Sequence, residues 1–319
     1  MANADQILSL IRNHLNNDDA QFRKVALQIS AVEAKTGHAV LARTIQELLS
    51  QRKTSFSALK LIPRNKDVDD LLLQVETYDC LKNMVTDKAL KEKIERVIKE
   101  FTKREELRKY GLANRRKLLL YGVPGTGKTM TAGVLAKELN LPLFIVRTEK
   151  VVTKFMGETG QKLSRIFDFI DEVPAVYLFD EFDAIGAQRG MENEVGEQRR
   201  ILNTFLQLLE RDSSDSFIIA ATNAIDSIDK AMFRRFDDVI EYRLPDSRQR
   251  IHLLREYLYA AKELDYSMAA PLFEGMSHAE IKMVCSDIFK ESLLNDVPMN
   301  IELVKMVVDK RNQLCREIS

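Results

Sequence analysis

The sequence has few cysteines and no formal net charge, and both features exclude classes of protein. Its 319 residues include only Cys80, Cys285 and Cys315, which are too far apart in the chain to suggest a disulfide framework, a redox pair or a metal-ligand cluster. Such spacing suits a reducing compartment. Lys and Arg number 48, as do Asp and Glu, so the chain as a whole does not act as a polycation on nucleic acid.

Long apolar runs are also missing. No stretch approaches the ~20 apolar residues of a membrane-spanning helix, and the segment Met1–Leu8 carries an acid and lacks an apolar signal core. The hydrophobic fraction of 45% and the charged fraction of 30% are typical of globular proteins, and the length suggests two or three domains. We therefore expect a cytoplasmic protein without a membrane span.

Apolar periodicity divides the chain into four parts. Residues 1–52 are predicted to form three short helices, and residues 53–67, where the pattern weakens, are predicted to be a linker. Residues 68–245 begin with a helical segment, predicted over Val75–Leu107, and then alternate short apolar runs with helices. Residues 246–319 are predicted to be helical throughout, with helices at Ser247–Ala261, Ser277–Leu294 and Ile301–Glu317.

The apolar runs of the third part have the length and composition of buried strands. Because such strands alternate with helices, they predict an α/β fold, with a parallel sheet flanked by crossover helices. The five runs are Lys117–Tyr121, Leu143–Val146, Ala175–Phe179, Phe217–Ala221 and Val239–Tyr242.

A glycine-rich loop follows the first of these runs. Residues 122–129 match the pattern G-x-x-x-x-G-K-[ST] and lie between a predicted strand and a predicted helix. Glycines at these positions let backbone N–H groups converge on phosphates at a helix amino terminus. Lys128 would reach the β- and γ-phosphates, and Thr129 would place its hydroxyl on Mg²⁺. The candidate ATP contacts in this loop are Gly122, Val123, Pro124, Gly125, Thr126, Gly127, Lys128, Thr129 and Met130.

Polar residues end two of the later runs. Asp180 and Glu181 close one of them, and Asn223 follows the next. Sites in parallel sheets form at the carboxyl ends of the strands, so we expect Asp180 beside the magnesium ion and Glu181 as the general base that polarises the attacking water. Asn223 would contact the γ-phosphate or hold the water.

Together these motifs resemble the AAA ATPases, and among them the group that remodels proteins. The resemblance covers the chain from Asp69 to the last helix. It implies a P-loop NTPase domain in residues 68–245, a helical lid domain in residues 246–319, ATP and Mg²⁺ as ligands, and a homo-oligomeric ring of six subunits. It also implies that residues 1–52 form a module that selects a protein substrate or adaptor.

The segment Lys154-Phe155-Met156-Gly157 resembles the first pore loop of that group, where a ring of aromatic side chains grips an extended polypeptide. The resemblance makes Phe155 the gripping residue and Met156 its neighbour. A flat ring and a flexible thioether suit sequence-tolerant contacts. The loop Gln188–Gly196 is expected to be a second loop that faces the pore.

Arg234 and Arg235 lie in a segment that resembles the arginine-finger segment of the family. There a guanidinium reaches the γ-phosphate bound to the neighbouring subunit, a role that needs a fixed charge and fork geometry. We expect Arg235 to be the finger and Arg234 its partner, and the sequence leaves the choice between them open.

Two stretches depart from the family pattern around the adenine base. Gly275–Ile281 resembles the lid-helix signature, but His278 stands where the family has Gly. Leu71–Leu73 stands where family members commonly carry a hydrophobic–Gly–Gly turn. The candidate adenine contacts are Ala279 and, from the first lid helix, Leu253 and Tyr257.

The expected function is that of a ring-forming Mg-ATP hydrolase that remodels, unfolds or translocates a protein through a central pore. One alternative is a nucleic-acid-linked AAA+ ATPase of the clamp-loader or transposition-helper type, although nucleic acid is not the expected partner. Its support is the 10 Lys and Arg against 6 Asp and Glu in residues 1–67. Two further alternatives are the ATPase partner of a protease in a bacterial defence pair and a nucleotide-gated scaffold with little turnover.

Overall fold

The computed structural model describes residues 19–35, 44, 66–152, 157–183, 195–224, 230–261 and 264–318. The chain divides into two compact units, Met1–Arg64 and Asn65–Ser319. Within the described ranges, no helix is both long enough and apolar enough to cross a membrane.

The first unit contains helix α1, Asp19–Lys35. This helix is the second of the three predicted at the amino terminus, and it buries the side chains of Ala26 and Ile29. The first predicted helix, the third apart from Thr44, and the predicted linker up to residue 65 lie outside the described residues.

The second unit is built on a six-stranded sheet in the order β1-β3-β4-β5-β2-β6. All five predicted strands are present, and β2 to β6 pair in parallel. The strands are β1 Leu72–Val75, β2 Lys117–Gly122, β3 Leu143–Val146, β4 Val176–Phe179, β5 Phe217–Thr222 and β6 Asp238–Tyr242.

The strand β1 was not predicted, and the helix predicted from Val75 was wrong over its first part. β1 runs antiparallel to β3, with Leu72 opposite Val146. Four residues at a sheet edge show too little alternation to be recognised from sequence, because their pairing depends on a partner some 70 residues away. The helix itself begins at Lys88, where the Asp87 carboxylate accepts a hydrogen bond from the Leu90 amide at 2.7 Å and caps it.

Helices cover both faces of the sheet. Those of the α/β part are α2 Lys66–Asp69, α3 Lys88–Thr102, α4 Arg104–Lys109, α5 Lys128–Leu139, α6 Thr148–Val151, α7 Glu158–Glu172 and α8 Val195–Arg211. Among the described residues, short 3-10 turns lie at Leu81–Asn83, Lys230–Arg235 and Ala270–Phe273. The carboxyl-terminal helices are α9 Ser247–Tyr257, α10 Tyr266–Ala269, α11 His278–Asn295 and α12 Ile301–Ile318.

The central strands are buried on both faces, which explains why they appear in the sequence as continuous apolar runs. On one face, α3 and α5 pack against the strands through residues such as Val97 and Leu135, both fully buried. On the other face, Phe179 of β4 lies 5.0 Å from Phe205 of α8 and 6.1 Å from Phe167 of α7, measured between ring centroids. The result is a helix–sheet–helix sandwich.

The carboxyl-terminal helices have a hydrophobic core of their own. It contains apolar side chains from α9 to α12, with Phe273, Ile281 and Val304 fully buried. No strand follows β6 within the described residues. The predicted fold class, an α/β sheet followed by a helical part, is therefore confirmed.

Candidate functional site

The glycine-rich loop connects β2 to α5 by a path that requires glycine. Gly122 and Gly125 have φ angles of 142° and 73°, in the region that side chains disfavour. A Cβ on Gly122 would lie 2.0 Å from the Tyr242 carbonyl oxygen, and one on Gly125 would lie 2.7 Å from Ser277 Oγ. The loop therefore packs tightly against β6 and α11, and it leads directly into the amino terminus of α5.

Lys128 is held inside this loop. Its Nζ donates hydrogen bonds to the carbonyl oxygens of Gly122 at 2.7 Å and Val123 at 3.0 Å. Only 6% of the residue is exposed, and this burial lowers the pKa of Lys128, while the carboxylates of Asp180 and Asp183 oppose the shift. The loop therefore contains a buried ammonium whose charged form is favoured by two nearby carboxylates.

Thr129 and Asp180, predicted as magnesium ligands, lie side by side. The Thr129 hydroxyl donates a 2.7 Å hydrogen bond to Asp180 Oδ2, which joins the first turn of α5 to the end of β4. A hydroxyl and a carboxylate are the hard oxygen ligands that Mg²⁺ prefers. With Lys128 and the α5 amino terminus beside them, these groups fit a magnesium-bound triphosphate.

Glu181 lies next to this pair in an unusual backbone conformation. Its φ of 49° is in the left-handed region, which costs a non-glycine residue about 1–3 kcal/mol. Its amide donates a 2.9 Å hydrogen bond to Asp180 Oδ1, and its side chain is exposed. At this strained turn the Asp180 carboxylate is bonded to both the Thr129 hydroxyl and the Glu181 backbone N–H.

Asn223 lies at the end of the neighbouring strand β5 and is exposed. The backbone N–H of Asn223 donates a 3.4 Å hydrogen bond to Asp183 Oδ1. The same oxygen accepts a 2.8 Å hydrogen bond from the Thr222 hydroxyl. Sequence reasoning missed Asp183. The available signal was its position three residues after Asp180, one turn further along the chain.

The lid-helix signature contacts the phosphate loop directly. The Ala279 amide, in the first turn of α11, donates a 3.0 Å hydrogen bond to the Gly125 carbonyl oxygen. Ser277 caps the same helix in a reciprocal capping box with Glu280. Through these bonds the start of α11 is fixed against the loop.

The remaining candidates for adenine contact lie in the lid. Leu253 is 2% exposed within the lid core, and Tyr257 is half-buried with the Lys282 ammonium 5.9 Å from its ring centre. At His278, neither ring nitrogen has a hydrogen bond of good geometry to the described residues. Burial lowers the pKa of His278, and a backbone interaction with Val85 opposes the shift. Which of these side chains touches adenine stays a prediction.

The two candidate finger residues lie in the 3-10 turn Lys230–Arg235. Arg234 is exposed, and the Arg235 guanidinium forms an ion pair with Glu210 of α8. Just beyond this turn, Asp237 Oδ2 accepts hydrogen bonds of 2.8 Å from the amides of Arg116 and Lys117. The turn is thus anchored at the amino end of β2, whereas the phosphate loop follows the carboxyl end of that strand, roughly 17 Å away at ~3.3 Å per residue.

The predicted pore-loop residues Lys154, Phe155 and Met156 lie outside the described residues. Gly157, the last of that motif, has a φ of 87° and immediately precedes α7. Of the second predicted loop, residues 188–194 also lie outside the described residues, and α8 begins at Val195.

Comparison with known proteins agrees with this geometry. Residues 118–244 match the family model described as "ATPase family associated with various cellular activities (AAA)". An uncharacterized AAA family ATPase, y4kL of Sinorhizobium fredii, is 33% identical over 300 residues, which cover 92% of this chain and 90% of the relative. The chain belongs to the AAA ATPase family. The resemblance inferred from the motifs is confirmed.

This AAA ATPase also resembles proteasome-activating nucleotidases. That of Methanoculleus marisnigri is 34% identical over 223 residues, covering 66% of this chain and 53% of the relative. That of Saccharolobus solfataricus is 37% identical over 226 residues, covering 66% of this chain and 57% of the relative. The chain thus spans little more than half the length of these two nucleotidases.

Family membership establishes the basic activity: the protein binds ATP and is an ATPase. The matched region begins in β2 and ends just after β6, so it contains the loop, the acids at the end of β4 and the arginine turn.

Proposed function

We propose that this AAA ATPase forms a homo-oligomeric ring, of six subunits as in the family, that couples Mg-ATP hydrolysis to remodelling, unfolding or translocation of a protein through a central pore. The observation that carries the proposal is the hydrogen bond from Thr129 to Asp180, with Lys128 in the loop beside it and Glu181 next in the chain. These groups lie at the carboxyl ends of parallel strands, where sites form in such sheets, and they would supply the phosphate-binding, magnesium-binding and general-base parts of a hydrolytic centre.

In this proposal the glycine-rich loop and Lys128 bind the β- and γ-phosphates. Thr129 and Asp180 hold Mg²⁺, which when bound neutralises the charge that develops on the phosphate oxygens. The contact between Thr129 and Asp180 supports this assignment, because both oxygens can reach one ion with little movement.

Glu181 accepts a proton from water as the water oxygen attacks the γ-phosphorus. The bond from that phosphorus to the β–γ bridging oxygen breaks, and ADP and phosphate leave. Asn223, at the end of the neighbouring strand, orients the water or contacts the γ-phosphate. The exposure of Glu181 and Asn223 is consistent with both side chains reaching a bound ligand.

The finger arginines act on the neighbouring subunit. Their support is the anchorage of the arginine turn, through Asp237, at the amino end of β2, far from the phosphate loop of the same chain. A guanidinium there would reach the γ-phosphate bound to a second copy of the chain more readily than the one bound to its own loop. Hydrolysis would then depend on assembly.

The pore loop would be attached to a rigid element. Gly157 leads into α7, whose Phe169 lies 5.7 Å from Phe144 of β3 and 6.3 Å from Tyr177 of β4, measured between ring centroids. β4 also leads to Asp180 and Glu181, so the helix that follows the pore motif in the chain packs on the strand that ends at the nucleotide site.

The proposed macromolecular partners are a protein substrate or adaptor, bound through the amino-terminal unit, and a protease. Residues 1–52 would receive the protein substrate or an adaptor. The protease partner is supported by the name of the proteasome-activating nucleotidases that this chain resembles. The protease would receive the unfolded product.

A variant pair at the pore motif tests the proposal. In Phe155→Ala, ATP hydrolysis should persist while unfolding of a fluorescent protein carrying an unstructured tag is lost, and Phe155→Tyr should retain both. Unfolding by Phe155→Ala at the wild-type rate would contradict the pore mechanism. Capture of co-purifying proteins by Glu181→Gln in cells would then identify the substrate.

A further inference from the structure

Asp183 lies among the catalytic side chains, yet no motif assigns it a role. Its Oδ1 accepts hydrogen bonds from the Thr222 hydroxyl at 2.8 Å and from the backbone N–H of Asn223 at 3.4 Å. Thr222 is fully buried, and its Oγ1 in turn accepts a 3.1 Å hydrogen bond from the Ala224 amide. One carboxylate oxygen therefore bonds to both Thr222 and Asn223, and Thr222 extends the network to Ala224.

The end of β5 needs such a contact because β4, its neighbour on one side, ends before β5 does. The ladder between β4 and β5 ends with the pair Phe179 and Ala220. β5 continues to Thr222, which is paired on its other side with Tyr121 of β2. Backbone groups beyond the last ladder pair need other partners. Asp183 provides one from the chain that follows β4.

We propose that Asp183 is a positioning residue for ATP hydrolysis, which holds Asn223 in place relative to Asp180 and Glu181. The proposal rests on the function proposed above for Asn223. It does not depend on the pore or on the identity of the substrate. Asp183 acts through the end of β5 and not by touching the water itself.

The expected effect is on turnover rather than on binding. A catalytic group displaced by ~1 Å can cost ~10²-fold in rate. Asp183→Ala should therefore lower kcat by roughly 10- to 100-fold, with little change in the affinity for ADP, which lacks the γ-phosphate. Asp183→Asn keeps an acceptor oxygen for Thr222 and Asn223, so it should restore most of the rate.

A matched pair at the partner residue provides an independent test. Thr222→Val removes the hydroxyl that bonds to Asp183, and Thr222→Ser keeps it. We expect the valine variant to lose turnover and the serine variant to keep it, at equal oligomeric size by light scattering and with thermal unfolding recorded for each. If Asp183→Ala does not fold, Asp183→Asn and the two Thr222 variants decide the question.

A double-mutant cycle with Asn223→Ala separates the two proposals. If Asp183 acts through Asn223, the double variant should be no slower than Asn223→Ala alone. Additive losses would overturn the role of Asp183 and leave that of Asn223 intact. Equal losses in Asp183→Asn and Asp183→Ala would also overturn it, since the charge facing Lys128 would then be the active feature. A wild-type kcat in Asn223→Ala would reject the role of Asn223 itself.

Discussion

The Ala279 amide donates a 3.0 Å hydrogen bond to the Gly125 carbonyl oxygen, so the lid helix α11 is bonded directly to the phosphate-binding loop. A ligand that displaces the Gly125 carbonyl would break this bond or shift the start of α11 with it. In a ring whose subunits contact one another through such elements, this bond would transmit the state of the nucleotide. The start of α11 is therefore joined to the glycine-rich loop and is not a separate attachment.

Lys128→Ala should abolish nucleotide binding. Its ammonium is the buried cation of the loop, and charge-assisted hydrogen bonds contribute about 1.5–3 kcal/mol each. Loss of its bonds to both the β- and the γ-phosphate should therefore lower the affinity by roughly 10²- to 10⁴-fold. Titration with a fluorescent ATP analogue measures the loss. Lys162→Ala, on the exposed side of α7, is a control that should bind normally. Tight binding by Lys128→Ala would show that the loop amides suffice.

Glu181→Gln should bind ATP and hydrolyse it slowly. The amide has the shape of the carboxylate but cannot accept the proton of the attacking water, and general-base catalysis contributes typically 10²- to 10⁴-fold. Single-turnover hydrolysis, with ATP retention measured on the same sample, tests this prediction. Continued rapid hydrolysis would assign the base to another group.

Arg235→Ala should lose activity that a second variant restores. Mixed with Lys128→Ala subunits, which keep their arginines but bind no ATP, the Arg235→Ala sites would regain a finger in trans. ATPase rates across mixing ratios measure the rescue. Arg234→Ala in parallel decides which arginine is the finger, and Arg243→Ala, an exposed arginine paired with nearby Glu241, is the control. A rate that merely averages those of the two variants would argue against action in trans.

The free energy of unfolding should fall as the pH decreases, and part of that fall should come from protonation of His278. Burial lowers the pKa of this histidine below its ordinary value of 6.5, so the unfolded chain binds the proton more readily than the folded one. Stability from this group is therefore lost as the pH falls below about 6.5. Urea unfolding at pH 7.5 and 5.5 should show a smaller drop for His278→Gln than for wild type, with His252→Gln as the control. Equal drops in wild type and His278→Gln would contradict the prediction.

Much of the nucleotide site could be predicted from sequence because each piece is local. The loop from Gly122 to Thr129 is a contiguous pattern, and Asp180 and Asn223 follow uninterrupted apolar strands. Parallel strands place their carboxyl ends on one edge, so the mutual proximity of these residues follows from the strand assignment alone. The observed bond from Thr129 to Asp180 is the consequence.

The tertiary structure alone decided which distant segments contact one another when neither segment carries a recognisable sequence motif. The edge strand β1 exists because β3 pairs with it, and Asp183 matters because Thr222, 39 residues away, donates to it. The bond between Ala279 and Gly125 likewise joins two parts that sequence reasoning had described separately. Periodicity and motifs report local conformation and burial. Which distant polar groups satisfy one another is decided only when the core has brought them together.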